Sequence, residues 1–162
     1  MDLIPIKEKL EDNEEFTNNP LFRESIYMSI DFYKRVGYVP PWIGYYVKEN
    51  DEFIASVGFK GPPVDGIIEI AYGVFEQYRK QGIGTAICKL LVDLSLKTDP
   101  SIKITARTLP ENNYSSRVLE KNNFIFAGEI NDPEDGEVWE WVYSLPPTPS
   151  GGGGVNSNSP TL

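Results

Sequence analysis

The chain has 162 residues, 40% of them hydrophobic, a single cysteine, no histidine and a formal charge of −9. That length suits one domain with a real core, the charge argues against general nucleic-acid binding, and the lack of histidine excludes a histidine-based triad or zinc site. No apolar run approaches the ~18 residues of a membrane span, Met1 to Lys7 lack the basic-then-apolar pattern of a secretory leader, and one cysteine rules out an internal disulfide framework, so a cytoplasmic setting without membrane or nucleic-acid partners is expected.

Leu3 to Ile6 reads as a short strand that Pro5 confines to an edge. Glu8 to Thr17 is strongly acidic and suits either helix or loop. Asn19 is a candidate cap for a helix from Pro20 to Val36, which Gly37 ends; Ile26, Met28, Ile30 and Tyr33 form part of its apolar run. Trp42 to Lys48 and Phe53 to Phe59 read as a hairpin closed by Glu49-Asn50-Asp51-Glu52. Lys60 to Gly66 is turn-rich and leads into the β-branched and aromatic run Ile67 to Phe75, a buried strand. A polar turn then opens an amphipathic helix ending near Leu96, with Ile83, Ile87, Leu90, Leu91 and Leu94 at helical spacing and Cys88 among them as packing.

Ile102 to Ala106 alternates as a strand. It follows a helical crossover, so it should run parallel to Ile67–Phe75. Asn112 or Asn113 starts a helix to about Asn122, with Val118 and Leu119 inward and Arg117, Glu120 and Lys121 toward water. Phe124 to Ile130, the turn Asn131 to Gly136, and Glu137 to Tyr143 make a second hairpin. The pattern is mixed α/β, a single domain over residues 1–145, with a low-complexity, disordered tail over 146–162.

Two features carry chemistry. The first is Arg79-Lys80-Gln81-Gly82-Ile83-Gly84, an R-x-x-G-x-G sequence between a strand and a helix. A helix start leaves its first N–H groups unpaired and partly positive. Glycines let an anion approach those groups, and Arg79 and Lys80 add charge. The spacing is neither a Walker loop nor a dinucleotide fingerprint, because Ile87 stands where the third glycine would be. The second is Glu69, a carboxylate inside an apolar strand. It must be paired, protonated or facing a wet cleft. It is either a structural ion-pair member or a general base.

The R-x-x-G-x-G loop resembles the pyrophosphate-binding motif of the GNAT N-acetyltransferase superfamily. Asn112-Asn113-Tyr114-Ser115-Ser116-Arg117-Val118-Leu119-Glu120-Lys121-Asn122-Asn123-Phe124 resembles the N-x-x-S-x-x-V-L-x-K-x-G-F segment of the branch that includes ribosomal-protein N-terminal acetyltransferases. The resemblance implies acetyl-CoA as acetyl donor, with its pyrophosphate over Gln81 to Thr85 (Gln81, Gly82, Ile83, Gly84, Thr85). It implies backbone contacts to the pantetheine at Val74 and Phe75, a coenzyme contact at Asn112, and Ser115 near the sulfur. It also implies that the motif strand and the next strand splay apart around the coenzyme. An N–H near Val74 would stabilise the oxyanion, and Glu69 would deprotonate the acceptor.

Another branch places a tyrosine acid where this chain has Leu119 and a glutamate base where it has Arg107, so neither role carries over. Asn123 replaces the usual glycine and tolerates a left-handed backbone. Tyr72, Trp42, Tyr45, Tyr46 and Trp141 are candidates for an acceptor pocket, and each also suits the core. The acceptor is expected to be a primary amine, with a protein N-terminal α-amine first. Deprotonating an α-amine near pH 7 costs roughly 3 kcal/mol less than deprotonating a lysine. A small polyamine or aminoglycoside is second, and a polycation pocket would draw carboxylates from Glu8–Glu15 or Asp132–Glu137. A non-catalytic acyl-CoA sensor is the alternative from another class. Assembly stays open between monomer and homodimer.

Overall fold

The structure, a computed structural model, describes residues 1–144. The tail expected over 146–162 lies outside them. Strands β1 (Asp2–Pro5), β2 (Gly44–Glu49), β3 (Glu52–Phe59), β4 (Ile67–Val74), β5 (Lys103–Thr108), β6 (Phe124–Asp132) and β7 (Gly136–Tyr143) form one sheet in the order β1-β2-β3-β4-β5-β7-β6. Of the pairs in it, β4–β5 alone is parallel, joined by the helix α3 (Ile83–Thr98). The remaining α-helices among the described residues are α1 (Glu14–Thr17), α2 (Arg23–Val36) and α4 (Tyr114–Lys121).

Local chemistry explains the element ends. The β2–β3 hairpin turns on Asn50 (φ 50°) and Asp51 (φ 65°), a left-handed pair that matches strand twist. The helix expected from Pro20 begins instead at Arg23. Asn19 Oδ1 accepts from the Leu21 amide at 2.9 Å and its carbonyl accepts from Phe22, which holds Pro20 to Phe22 in a turn. Within α2, Ile26, Ile30 and Tyr33 are buried, whereas Met28 is exposed. The strand expected from Trp42 begins at Gly44. The acidic run after Lys7 divides into a 3-10 turn, Leu10–Asn13, and α1.

The core lies between the sheet and its helices. Ile87, Cys88 and Leu91 of α3 and Ile26 of α2 are fully buried. Each such aliphatic side chain contributes about 1.5–3 kcal/mol. Phe16 packs edge to face on Phe22, Tyr46 and Phe53, and Phe22 does so on Phe53. Among the described residues no helix is long and apolar enough to cross a membrane.

Candidate active site

The sheet opens where the site forms. β4 and β5 pair from Ile67/Lys103 to Ile70/Ala106 and no further, although β4 runs on to Val74 and β5 to Thr108. On its other side β4 stays paired with β3. The Lys60 amide donates to the Glu69 carbonyl and the Phe75 amide to the Ile54 carbonyl. Antiparallel pairing alternates, so the odd residues of β4 bond β3 and the even ones face β5. The N–H and C=O groups of Tyr72 and Val74 therefore point into the gap. Phe75 does not share this: its amide is taken by Ile54 and its carbonyl by the Tyr78 amide. Of the two residues expected to offer backbone, Val74 alone directs its N–H toward the gap, and its carbonyl accepts from Arg79 Nε at 3.5 Å.

At one mouth of the gap stands the glycine loop. Lys80 (φ 66°) and Gly82 (φ 75°) are both left-handed, and Gly82 opens α3 without any side-chain cap. The first amides of α3 thus lack partners within the helix. Such alternation of handedness makes a concave array of N–H groups suited to an anion. A pocket of about 480 Å³ lies here, lined by Gly73, Val74, Arg79, Lys80, Gly84 and Arg117 with Tyr72, Tyr114 and Ser115. Gln81, Gly82 and Ile83 line a different hollow, beside Glu49, Glu52 and Tyr78. Thr85 is half-buried, and its carbonyl accepts from Asn122 Nδ2, tying α3 to α4. A Cβ on Gly84 would stand 2.6 Å from the Tyr114 hydroxyl, so that ring closes directly over the helix start.

At the other mouth is a cleft of about 310 Å³ on the β6–β7 side. Glu69, Ala71, Arg107, Ser115, Asp132 and Asp135 are among its walls. Ser115 and Tyr72 line both this cleft and the glycine-loop pocket. Burial raises the Glu69 carboxyl above its ordinary value; Arg107 and Lys60 pull the other way, and Asp132 and Glu140 push it further up. Asp132 is held low by the Glu134 and Asp135 amides and by Arg107. A groove under α2, lined by Met28, Phe32, Tyr45 and Tyr46, adjoins this cleft through Lys60, Ala71 and Tyr72.

The other residues singled out lie apart from the gap. Asn112 is exposed and borders a separate groove with Phe126, Trp139 and Trp141. The cap of α4 belongs to Asn113 and Ser116, which exchange side-chain and backbone hydrogen bonds at 2.9 and 3.0 Å. This is one position beyond Asn112 and Ser115. Trp42 is core against Phe59, Tyr46 is buried with its hydroxyl on Ser25, and Trp141 is buried with Nε1 donating to Thr108 Oγ1. Cys88 is fully buried and burial pushes its thiol up to about 12, as expected of packing. Asn123 takes the left-handed backbone expected of it, at φ 67°. Arg117, expected to face water, is exposed and also lines the glycine-loop pocket; Tyr114 and Arg107 carried no role from sequence, and no local pattern marks them.

Residues 6–125 match the family model described as an acetyltransferase (GNAT) domain. The chain belongs to the GNAT acetyltransferase family. It is 30% identical over 97 residues to the uncharacterized N-acetyltransferase YjdG of Bacillus subtilis (strain 168), an alignment covering 59% of this chain and 55% of that protein. The chain thus spans about half the length of that curated relative. Its fold is similar to a spermidine N-acetyltransferase SpeG chimera from Vibrio cholerae and hSSAT, with a TM-score of 0.63, 14% identity and coverage of 88% and 95% of the two chains. It is also similar to RimL, a ribosomal L7/L12 alpha-N-protein acetyltransferase solved with coenzyme A, with a TM-score of 0.62, 17% identity and coverage of 86% and 91%. At these identities the two structures speak for the GNAT fold alone.

Proposed function

We propose that the protein is an acetyl-CoA-dependent N-acetyltransferase that moves an acetyl group directly to a primary amine within a ternary complex. One observation carries this reading: the stretch of β4 from Tyr72 to Val74, parted from β5 while still paired with β3, runs from a cationic helix start to a cleft holding a carboxylate. The residues fit the coenzyme. Its pyrophosphate suits the amides from Gln81 to Thr85 with Arg79 and Lys80, and its amide-bearing arm suits the N–H of Val74, whose carbonyl accepts from Arg79 Nε. Bound there, it supplies an activated acetyl thioester.

The protein's own groups then divide the work. Glu69 accepts a proton from the acceptor ammonium, freeing the lone pair that forms the new N–C bond. The Val74 N–H stabilises the oxygen that gains charge as the carbonyl is attacked. Ser115 would donate its hydroxyl proton to the leaving thiolate sulfur of the bound coenzyme. Holding both reactants in one gap supplies much of the acceleration. No role falls to Asn112 on this reading, since it stands outside the gap.

For the acceptor, the resemblance to ribosomal-protein enzymes and the lower pKa of an α-amine favour a protein N-terminus. A second reading, a small polycationic amine, gains from one observation: Asp132 and Asp135 line the same cleft as Glu69. Glu15 of the earlier acidic run instead pairs with Lys48. Thiol release should be measured with free N-terminal peptides, N-blocked lysine peptides, spermidine and aminoglycosides. Turnover of α-amine peptides first supports the leading reading. Preference for spermidine or an aminoglycoside supports the second. Coenzyme binding with no turnover of any amine marks a sensor and sinks the enzymatic reading.

A further inference from the structure

We propose that Arg107 is a positioning residue of the acceptor cleft, holding the Glu69 carboxylate in its basic form and facing the amine. The inference rests on the reading of Glu69 as the base. Four strands meet at this guanidinium. Arg107 sits on β5 opposite Glu140 of β7. Its Nη1 donates to Asp132 Oδ2, at the end of β6, at 2.6 Å. Its Nε stands 3.5 Å from Glu69 Oε1 on β4 and 3.7 Å from Glu140 Oε2. That Nε is buried and makes no hydrogen bond. Charge rather than a directional bond therefore sets its place between the two carboxylates.

Without Arg107, everything else around Glu69 except Lys60 would oppose its ionisation. Glu69 is partly withdrawn from water, and Asp132 and Glu140 face it from β6 and β7. Desolvation and like charge act in the same direction on a carboxylate. Lys60, at the end of β3, is the other cation facing Glu69, and its side chain belongs to an exposed residue. Arg107 is thus the near counterweight. Asp132 divides its oxygens: Oδ1 accepts from the Glu134 and Asp135 amides, while Oδ2 takes Arg107. An asparagine at 132 keeps the first set and gives up the second. It also removes a like charge beside Glu69 and leaves Arg107 free to turn toward it.

These two substitutions therefore push Glu69 in opposite directions, which general loosening of the fold does not do. The test is a ¹³C titration of the Glu69 side-chain carboxyl, assigned from the spectrum of Glu69→Gln. It needs no acceptor. Arg107→Met should raise the midpoint by about one pH unit or more, the low end of the effect of an opposite charge within ~4–6 Å. Arg107→Lys should restore most of it, and Asp132→Asn should lower it. The acid limb of the thiol-release profile should move with each midpoint, because the amine's own protonation is common to all variants. An unmoved midpoint in Arg107→Met, or an upward shift in Asp132→Asn, overturns the role of Arg107. If Arg107→Met does not fold, the direction in Asp132→Asn decides. Wild-type turnover by Glu69→Gln across pH 6–9 instead sinks the reading of Glu69 as base, independently of the titration.

Discussion

Two glycines of the same backbone conformation separate strain from obstruction. Gly82 opens α3 and Gly66 lies in the β3–β4 turn, both at φ 75°, and a Cβ on either meets no atom within 4 Å. A left-handed conformation costs an L-residue roughly 1–2 kcal/mol. Gly82→Val and Gly66→Val should therefore lose similar stability. For a domain of this size that is a fall in Tm of about 2–8 °C. The coenzyme should tell them apart. A valine at 82 crowds the amides at the helix start, and one blocked hydrogen bond to a charged phosphate is worth about 1.5–3 kcal/mol, or roughly 10- to 100-fold in Kd. Calorimetry with coenzyme A should show that loss for Gly82→Val and unchanged affinity for Gly66→Val. Normal affinity in Gly82→Val would refute the phosphate cradle, and an equal loss in Gly66→Val would assign the effect to strain.

Three further outcomes are expected. Ser115→Ala should leave Tm and coenzyme affinity unchanged, because Ser115 takes no part in the α4 cap, and should slow thiol release roughly 10- to 100-fold as a donor to developing charge is lost; an unchanged rate removes Ser115 from the chemistry. Asn113→Ala should cost about 1 kcal/mol by leaving the Ser116 amide without its acceptor, seen as a lower urea midpoint; no change would mean that water replaces the cap. Burial pushes the Cys88 thiol from 9.0 and the Tyr45 phenol from 10.0 up to about 12. The unfolded chain then releases these protons first, so their stabilisation is complete below about pH 9 and fades as pH rises toward 12. Urea midpoints should stay level from pH 7 to about 9 and fall from there to 10.5, and a constant midpoint throughout would contradict the burial of both groups.

What was readable in the sequence was what local pattern controls. β4 and the glycine loop announce themselves because a β-branched run, a turn and a helical period follow one another without interruption. The parallel β4–β5 pair follows from the intervening helix. The cap of α4 stayed open between Asn112 and Asn113, because consecutive asparagines give the same local signal and the backbone at Asn113 decides between them. The start of α2 was placed early because the bond from Asn19 to the Leu21 amide is a property of one turn's geometry. Arg107 shows the harder limit. Its partners lie at positions 69, 132 and 140, on three other strands, and come together through sheet order and register. No period or spacing in the chain expresses that meeting.

The early end of β4–β5 pairing at Ile70 and Ala106 also bears on the order of events. A break inside a sheet, unlike a pocket on its surface, has two entrances. One lies between α3 and α4 and the other beneath the β6–β7 turn, with Tyr72 and Ser115 exposed to both. On the reading proposed above, donor and acceptor would enter and leave by separate routes, and such a break imposes no compulsory sequence of addition.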